Sequence, residues 1–331
     1  MERLKSLIVR LLTRLPGGHR LLGVLVRMLR GGQPQARPEA RPEARQPGYN
    51  PSGKTRVMVT GNAGKLGSRV AEYLKKAGYD VVGFDIKANP LESLSNYELV
   101  RKRMVGCQFV VHAAAIPHPN LGTIEDYFET NVVGSLNVMR AAAVSGVRRF
   151  IYFSSGAYYG WDVKGKLLPA YFPIDEAHPI ASMPGRAEGM LAAYDQSKVM
   201  AEQLLAWYGT NRIFEAISLR MAPAHKKADQ YPSDGSWLAD PGYRRRGLWT
   251  NLDPDKISEA VKCTLEAPGE FWYEAFNICD KYAPERVNVK AFLAKEYPDV
   301  PVKCDLSDNQ SLLTPAKAER MLGFKPCEDV R

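Results

Sequence analysis

Residues 57 to 85 constrain the fold more than any other part of the chain. Val57-Met58-Val59-Thr60 reads as an apolar strand and Gly61-Asn62-Ala63-Gly64-Lys65-Leu66-Gly67 as a glycine loop; a helical stretch follows, then Val81-Val82-Gly83-Phe84-Asp85, a second strand tipped by an acid. Strand, glycine turn, helix and strand in that order make a βαβ unit. Gly61 permits the tight turn, Gly64 lets backbone N–H groups approach an anion, and Gly67 lets the helix lie close on the sheet, with its N-terminus facing a pyrophosphate. Asp85 is then placed to accept hydrogen bonds from adenosine ribose hydroxyls. Its charge repels a 2′-phosphate, so the expected cofactor is NAD and not NADP. The Gly-x-x-Gly-x-x-Gly spacing is one residue longer in its first gap than the common dinucleotide fingerprint, and an isolated match also occurs in structural turns.

The pattern continues along the chain. Val57 to Thr60, Val81 to Asp85, Phe109 to His112, Phe150 to Phe153 and Phe214 to Leu219 are apolar strands alternating with helical segments, which predicts an α/β fold, a doubly wound parallel sheet of Rossmann type. Met221 to Trp249, and the chain after Ala267, are irregular and rich in Pro, Gly and aromatics; they read as a smaller C-terminal substrate lobe. The expected organisation is a helical extension over 1–31, a linker over 32–56, a cofactor-binding core over 57–220 and a mainly substrate-binding lobe over 221–331.

The formal net charge of +9 acquires a meaning once it is located. Residues 1 to 56 hold twelve Lys/Arg and three Glu, leaving 33 basic and 33 acidic residues for 57 to 331. A neutral body removes the main support for nucleic-acid binding. Leu4, Leu7, Ile8, Leu11, Leu12 and Leu15 form an apolar stripe flanked by Arg3, Lys5, Arg10 and Arg14, and Arg20 to Arg30 repeats the pattern after Pro16-Gly17-Gly18. Residues 1–31 are thus a basic amphipathic helical extension on a Pro/Arg-rich linker. Three readings stand for it: attachment to an anionic membrane surface, docking to a protein partner, or an organellar transit peptide, although Ser6 is the only serine of the first fifty residues. The longest apolar run there, Leu21 to Val26, is too short to span a bilayer. The five scattered cysteines form no Cys-x-x-Cys and suit a reducing compartment such as the cytoplasm; the five histidines have no metal-ligand spacing, and no metal is expected.

Tyr194-Asp195-Gln196-Ser197-Lys198 opens a helical stretch, so Tyr194 and Lys198 share one face. Free tyrosine ionises near pH ~10, and a basic role near neutrality needs the phenolate favoured by about 4 kcal/mol. A cation one helical turn away, reinforced by oxidised nicotinamide, can supply much of that. Ser154 and Ser155 end the Phe150 to Phe153 strand, at the carboxyl edge where open parallel sheets bind ligands. Ser155 reads there either as a hydrogen-bond donor to a reacting oxygen or as a turn residue.

Thr60-Gly61-x-x-Gly64-x-x-Gly67, His112-Ala113-Ala114-Ala115, Asn131-Val132-Val133-Gly134-Ser135-Leu136-Asn137, Ser154-Ser155-Gly156-Ala157-Tyr158-Tyr159-Gly160, Pro173-Ile174-Asp175-Glu176, Tyr194-x-x-x-Lys198 and Leu219-Arg220 occur in one order. That order, over about residues 56 to 280, resembles the extended short-chain dehydrogenase/reductases, and within them the NAD-dependent epimerase/dehydratase family. The resemblance implies a catalytic triad of Ser155, Tyr194 and Lys198, with Lys198 also holding the nicotinamide ribose. It implies that Asn131 props the helix that positions Lys198 and that Ala113, Ala114 and Ala115 line the cofactor. The sugar-nucleotide 4,6-dehydratases carry an Asp-Glu pair after the equivalent of Ser155; Gly156-Ala157 stands here, which argues against water elimination. Ser93-Leu94 stands where relatives often place an adenine-side Asp on a third strand.

The expected function is hydride transfer between NAD and a secondary alcohol or ketone of a sugar-like substrate, by an epimerase or a dehydrogenase. The alternative is a tethered NAD-binding scaffold without turnover. Trp161 to Ala193 reads as a lid or binding loop, against a plain surface excursion. Tyr243 and Arg244 to Arg246 read either as contacts for an anionic substrate or as a solvated basic turn. A homodimer is compatible with all of these readings.

Overall fold

The computed structural model describes residues 53–118, 121–160, 168–180, 190–224, 248, 250–283 and 286–328, without the side chains of 190–192. All fall in one compact unit, Gln46–Arg331. The expectations for residues 1–31, for most of the linker, and for Tyr243 to Arg246 lie outside the described residues.

Six parallel strands carry the fold: β1 (Arg56–Thr60), β2 (Asp80–Phe84), β3 (Phe109–His112), β4 (Arg149–Ser155), β5 (Glu215–Met221) and β6 (Tyr273–Ile278), in the order β2-β1-β3-β4-β5-β6. Between them run α1 (Lys65–Lys76), α2 (Tyr97–Arg103), α3 (Ile124–Tyr127), a π-helical segment Phe128–Gly134, α4 (Ser135–Ser145), α5 (Met190–Thr210) and α6 (Pro254–Glu266); α7 (Val289–Glu296) and α8 (Ala316–Leu322) follow. The order reverses between β1 and β3, because β1 leads outward to β2 on one side and pairs with β3 on the other. In open α/β sheets ligands bind at such a switch point, at the carboxyl ends of the strands.

Strand alternation sends Val57, Val59, Val111, Ile151, Phe153, Ile217 and Leu219 to one face, and Met58, Val110, Phe150, Tyr152 and Ala216 to the other. The first face is covered by α1 and α6. Gly67, Val70, Ala71 and Leu74 recur at helical spacing on α1, as do Ile257, Ala260, Val261, Thr264 and Leu265 on α6. The second face takes Val138, Met139 and Ala142 of α4 and Ala201, Leu205 and Tyr208 of α5.

The structure departs from the sequence reading at three places. β6 lies beyond residue 220 and completes the same sheet, so the core does not stop where the lobe was expected to begin. Its Glu274 and Asn277 disguise it as irregular chain, yet Asn277 is buried and accepts a 2.6 Å hydrogen bond from the Tyr159 hydroxyl. Ser93 and Leu94 lie in the turn-rich connection before α2 and form no strand; the third strand is Phe109–His112. Within Trp161 to Ala193, residues 168–180 are built into the C-terminal part: Phe172 bridges Val302, and Ile174 bridges Leu313. Val289, Phe292, Leu293, Leu312 and Leu322 join the α1/α6 core, so the lobe shares one hydrophobic core with the sheet.

Candidate active site

The glycine loop sits at the switch point. Gly61 has φ +72°, and a Cβ on it would stand 2.6 Å from the Ala114 nitrogen and 2.8 Å from the Ala113 carbonyl carbon, so the β1 loop and Ala113 to Ala115 are pressed together. A Cβ on Gly67 would clash with the Gly61 carbonyl, which brings α1 close against the loop. Gly64 N–H donates to the Gly61 carbonyl at 2.9 Å. Gly64 is also the N-cap of α1; it offers no side-chain cap, and the first turn holds no acid. Helix N-terminal N–H groups left without a side-chain acceptor suit an anion. Leu66 packs into the core, the Lys65 ammonium donates to the Ala224 carbonyl at 3.4 Å, and the Asn62 side chain lies against Gly83 with its Oδ1 buried and without a hydrogen-bond partner among the described residues.

Asp85 follows directly on β2 and is buried. Ala63 N–H donates to its Oδ2 and Lys87 N–H to its Oδ1, both at 2.8 Å. Each carboxylate oxygen has a second lone pair, so the group keeps capacity for ribose hydroxyls.

Ser155 ends β4 beside Tyr194 of α5, close enough for its side chain to favour the ionised form of Tyr194. Ala157 N–H donates to the Ser155 Oγ at 3.2 Å. One turn along α5, the Lys198 ammonium donates to the Phe153 carbonyl at 3.0 Å and lies 6.0 Å from the Tyr194 ring centroid. The three expected catalytic side chains therefore converge at the carboxyl edge. Asn131 is fully buried on the π-helical segment; its Nδ2 donates to the Ser197 Oγ at 2.9 Å and its Oδ1 accepts from Ile116 N–H at 2.8 Å. It ties α5 to the loop that continues Ala113 to Ala115. A π-helical turn at such a position is a recurrent feature of functional sites.

Burial dominates the electrostatics. Tyr194 is pushed up to about 12 by burial, with the Ser155 hydrogen bond acting against it. Lys198 is pushed down to about 8 by burial, with Glu202 acting against it. Asp195 and Tyr127 add to the effect of burial, Lys198 is not among the groups that lower Tyr194, and the protein's own groups hold it as a phenol.

Several supporting groups escaped the sequence reading. His112 is buried between Thr60 and Ser135, with Nδ1 2.6 Å from Thr60 Oγ1 and Nε2 2.9 Å from Ser135 Oγ. Because Ser135 donates onward to the Asn131 carbonyl, His112 Nε2 carries the proton and Nδ1 accepts from Thr60. Burial, and then the Lys198 charge, push this histidine down to about 3. Tyr127 packs edge-on to Tyr194 with ring centroids 6.1 Å apart, and its hydroxyl donates to the His118 carbonyl. Glu202, one turn beyond Lys198, accepts from Arg220 at 2.6 and 2.9 Å, from Ser218 at 2.7 Å and from Tyr273 at 2.9 Å. The Lys198-to-Glu202 spacing, four residues on a helix, is a signal that pointed to it.

Comparison with known proteins agrees with this geometry. The model of the NAD dependent epimerase/dehydratase family matches residues 57–224, about half of the chain. A UDP-glucose 4-epimerase of Erwinia amylovora is 30% identical over 188 residues, 50% of this chain and 52% of that protein. An L-arabinose 1-dehydrogenase (NAD(P)(+)) of Haloferax volcanii is 23% identical over 231 residues, 64% of this chain and 83% of the relative. Against the UDP-glucose 4-epimerases it matches, the chain spans about half their length. A short-chain dehydrogenase/reductase superfamily protein from Agrobacterium tumefaciens, solved with bound NAD, superposes with a TM-score of 0.63 at 20% identity, covering 83% of this chain and 93% of that one. The glycine loop, the uncapped start of α1 and the buried Asp85 fit the cofactor that the family model describes. The chain belongs to the NAD-dependent epimerase/dehydratase family.

Proposed function

We propose that this protein moves a hydride between NAD and a secondary alcohol or ketone carbon of a sugar-like substrate, with a nucleotide sugar as the substrate class and epimerisation as the outcome. The observation that carries the reading is the meeting of Ser155, at the end of β4, with Tyr194 on α5 at the carboxyl edge, and Lys198 one turn along the same helix donating to the Phe153 carbonyl. Gly61 to Gly67 with Asp85, Ala113 to Ala115, Asn131 and Lys198 would hold NAD. When bound, NAD supplies the hydride acceptor and donor and, oxidised, a positive ring. Tyr194 Oη gives a proton to the substrate oxygen in the reducing direction and takes it in the oxidising one. Ser155 Oγ hydrogen-bonds the same oxygen, and the Lys198 ammonium favours negative charge on Tyr194. Burial keeps Tyr194 protonated, which suits reduction; oxidation depends on positive charge nearby. Gly156 and Ala157 have no ionisable side chains, so this reading assigns no acid–base pair for water elimination there.

The UDP-glucose 4-epimerase relatives favour the nucleotide sugar, while the L-arabinose 1-dehydrogenase relative favours a second reading, net oxidation of a free sugar. Both use the same three side chains and differ in whether the oxidised sugar turns over within the pocket. No comparison favours a scaffold without turnover. The attachment of residues 1–31 to an anionic membrane surface or a protein partner rests on the sequence alone; no described helix is long and apolar enough to cross a membrane. The deciding experiment incubates the full chain and NAD with UDP-hexoses, UDP-uronates and free sugars, following NADH absorbance and epimer exchange by NMR. Exchange without net NADH identifies an epimerase and stoichiometric NADH a dehydrogenase; neither, across the panel, rejects the proposal.

A further inference from the structure

The chain turns sharply after β2, and a pair of side chains from outside the glycine loop holds that turn. Glu92 is buried and is the one acid between Asp85 and Glu98. Its Oε2 accepts the Asp85 N–H at 2.9 Å, and its Oε1 lies 3.3 Å from an Arg103 guanidinium nitrogen. The same guanidinium donates to the Gly83 carbonyl at 2.9 Å. Glu92 and Arg103 therefore pin the peptide groups on both sides of Phe84, itself fully buried. The Asp85 carbonyl accepts from Ala88 and Asn89 N–H at 3.1 and 3.0 Å, and both carboxylate oxygens hold backbone N–H groups. Every polar group of Asp85 thus has a partner within the turn, and each carboxylate oxygen keeps one further lone pair.

We propose that Glu92 is a positioning residue for Asp85 and that the two acids together set the preference for NAD over NADP; this rests on the reading of residues 57 to 85 as the NAD clamp. Glu92 acts in two ways. Its hydrogen bond fixes the Asp85 backbone and so aims the carboxylate, and its buried negative charge, paired at 3.3 Å with a more exposed Arg103, adds to the field that a 2′-phosphate would meet. Glu92→Gln retains an oxygen acceptor for the Asp85 N–H and removes the charge, whereas Glu92→Ala removes both.

The test titrates wild type and both variants, as full chains, with NADH and NADPH, reading nicotinamide fluorescence and checking the fold by far-UV circular dichroism. Wild type is expected to prefer NADH. In Glu92→Gln, NADPH binding tightens about fivefold with NADH nearly unchanged. In Glu92→Ala, NADH binding weakens about tenfold and the preference falls further. A purely structural role would weaken both nucleotides together and leave their ratio alone. A wild-type ratio in Glu92→Gln overturns the proposal, whether or not Glu92→Ala folds, and so does a wild-type ratio in a folded Glu92→Ala. Wild type that binds neither nucleotide rejects the clamp itself, a failure distinct from a clamp that binds NADH and ignores Glu92.

Discussion

Two buried Arg–Glu pairs stand at opposite ends of the β4–β5 ladder, and they serve different ends. At the amino edge, Arg149 of β4 pairs with Glu215, its register partner on β5, at 2.9 and 3.1 Å. Its remaining donors go to the carbonyls of Thr264, Leu265, Ala267 and Gly269, the last turn of α6 and the chain beyond it. This pair fastens a helix C-terminus to the sheet and touches none of the candidate site. At the carboxyl edge, Arg220 of β5 pairs with Glu202 on α5, one turn past Lys198. Its other contacts are Tyr159 and the Glu176 carbonyl, and its guanidinium lies 3.6 Å from the Tyr158 ring centroid, over the turn that follows Ser155. The same chemistry is structural at one edge and adjacent to the proposed reacting groups at the other, because open parallel sheets bind ligands at the carboxyl ends of their strands.

That contrast breaks down if changes at the two edges have the same consequences. The largest effect belongs to the carboxyl edge: Tyr194→Phe should lower turnover by about two to four orders of magnitude while NADH still binds. Steady-state kinetics beside fluorescence titration check this, and unchanged turnover would remove Tyr194 from the chemistry. At the amino edge, Arg149→Ala leaves Glu215 buried without its partner and should cost about 3–5 kcal/mol of stability in urea unfolding, with turnover per folded molecule unaltered. The subtlest difference is in pH dependence. Lys198 stands near 8 because burial lowers it and Glu202 raises it. Glu202→Gln removes the raising charge, so Lys198 loses its proton at lower pH and the alkaline limb of the rate profile moves down by about one pH unit. Glu215→Gln, at the other edge, should leave that limb in place; a matching shift in both variants would erase the distinction.

What was legible in the chain was what short spacing encodes. The turn at Gly61, the position of Asp85 at the strand end, and the shared face of Tyr194 and Lys198 follow from residues a few places apart, where backbone geometry alone brings groups together. β6 was not legible, since Glu274 and Asn277 interrupt its apolar pattern and only Tyr159 and the Ile174 carbonyl, more than a hundred residues away, make a buried Asn277 tolerable. Glu92 is illegible for the same reason: its contacts depend on Arg103 and on the turn after β2, not on any repeating motif.

The sequence by itself determined a doubly wound sheet, a glycine loop and acid in the arrangement proposed as a dinucleotide clamp, and the three side chains of the candidate chemistry, because periodicity and local spacing are properties of the covalent chain. Only the tertiary structure decided that Asn131 would grip Ser197, that Arg149 and Arg220 would find different glutamates, and that burial would hold Tyr194 as a phenol near 12. Those outcomes depend on strand register, helix docking and exclusion of water, which exist only once distant segments have packed.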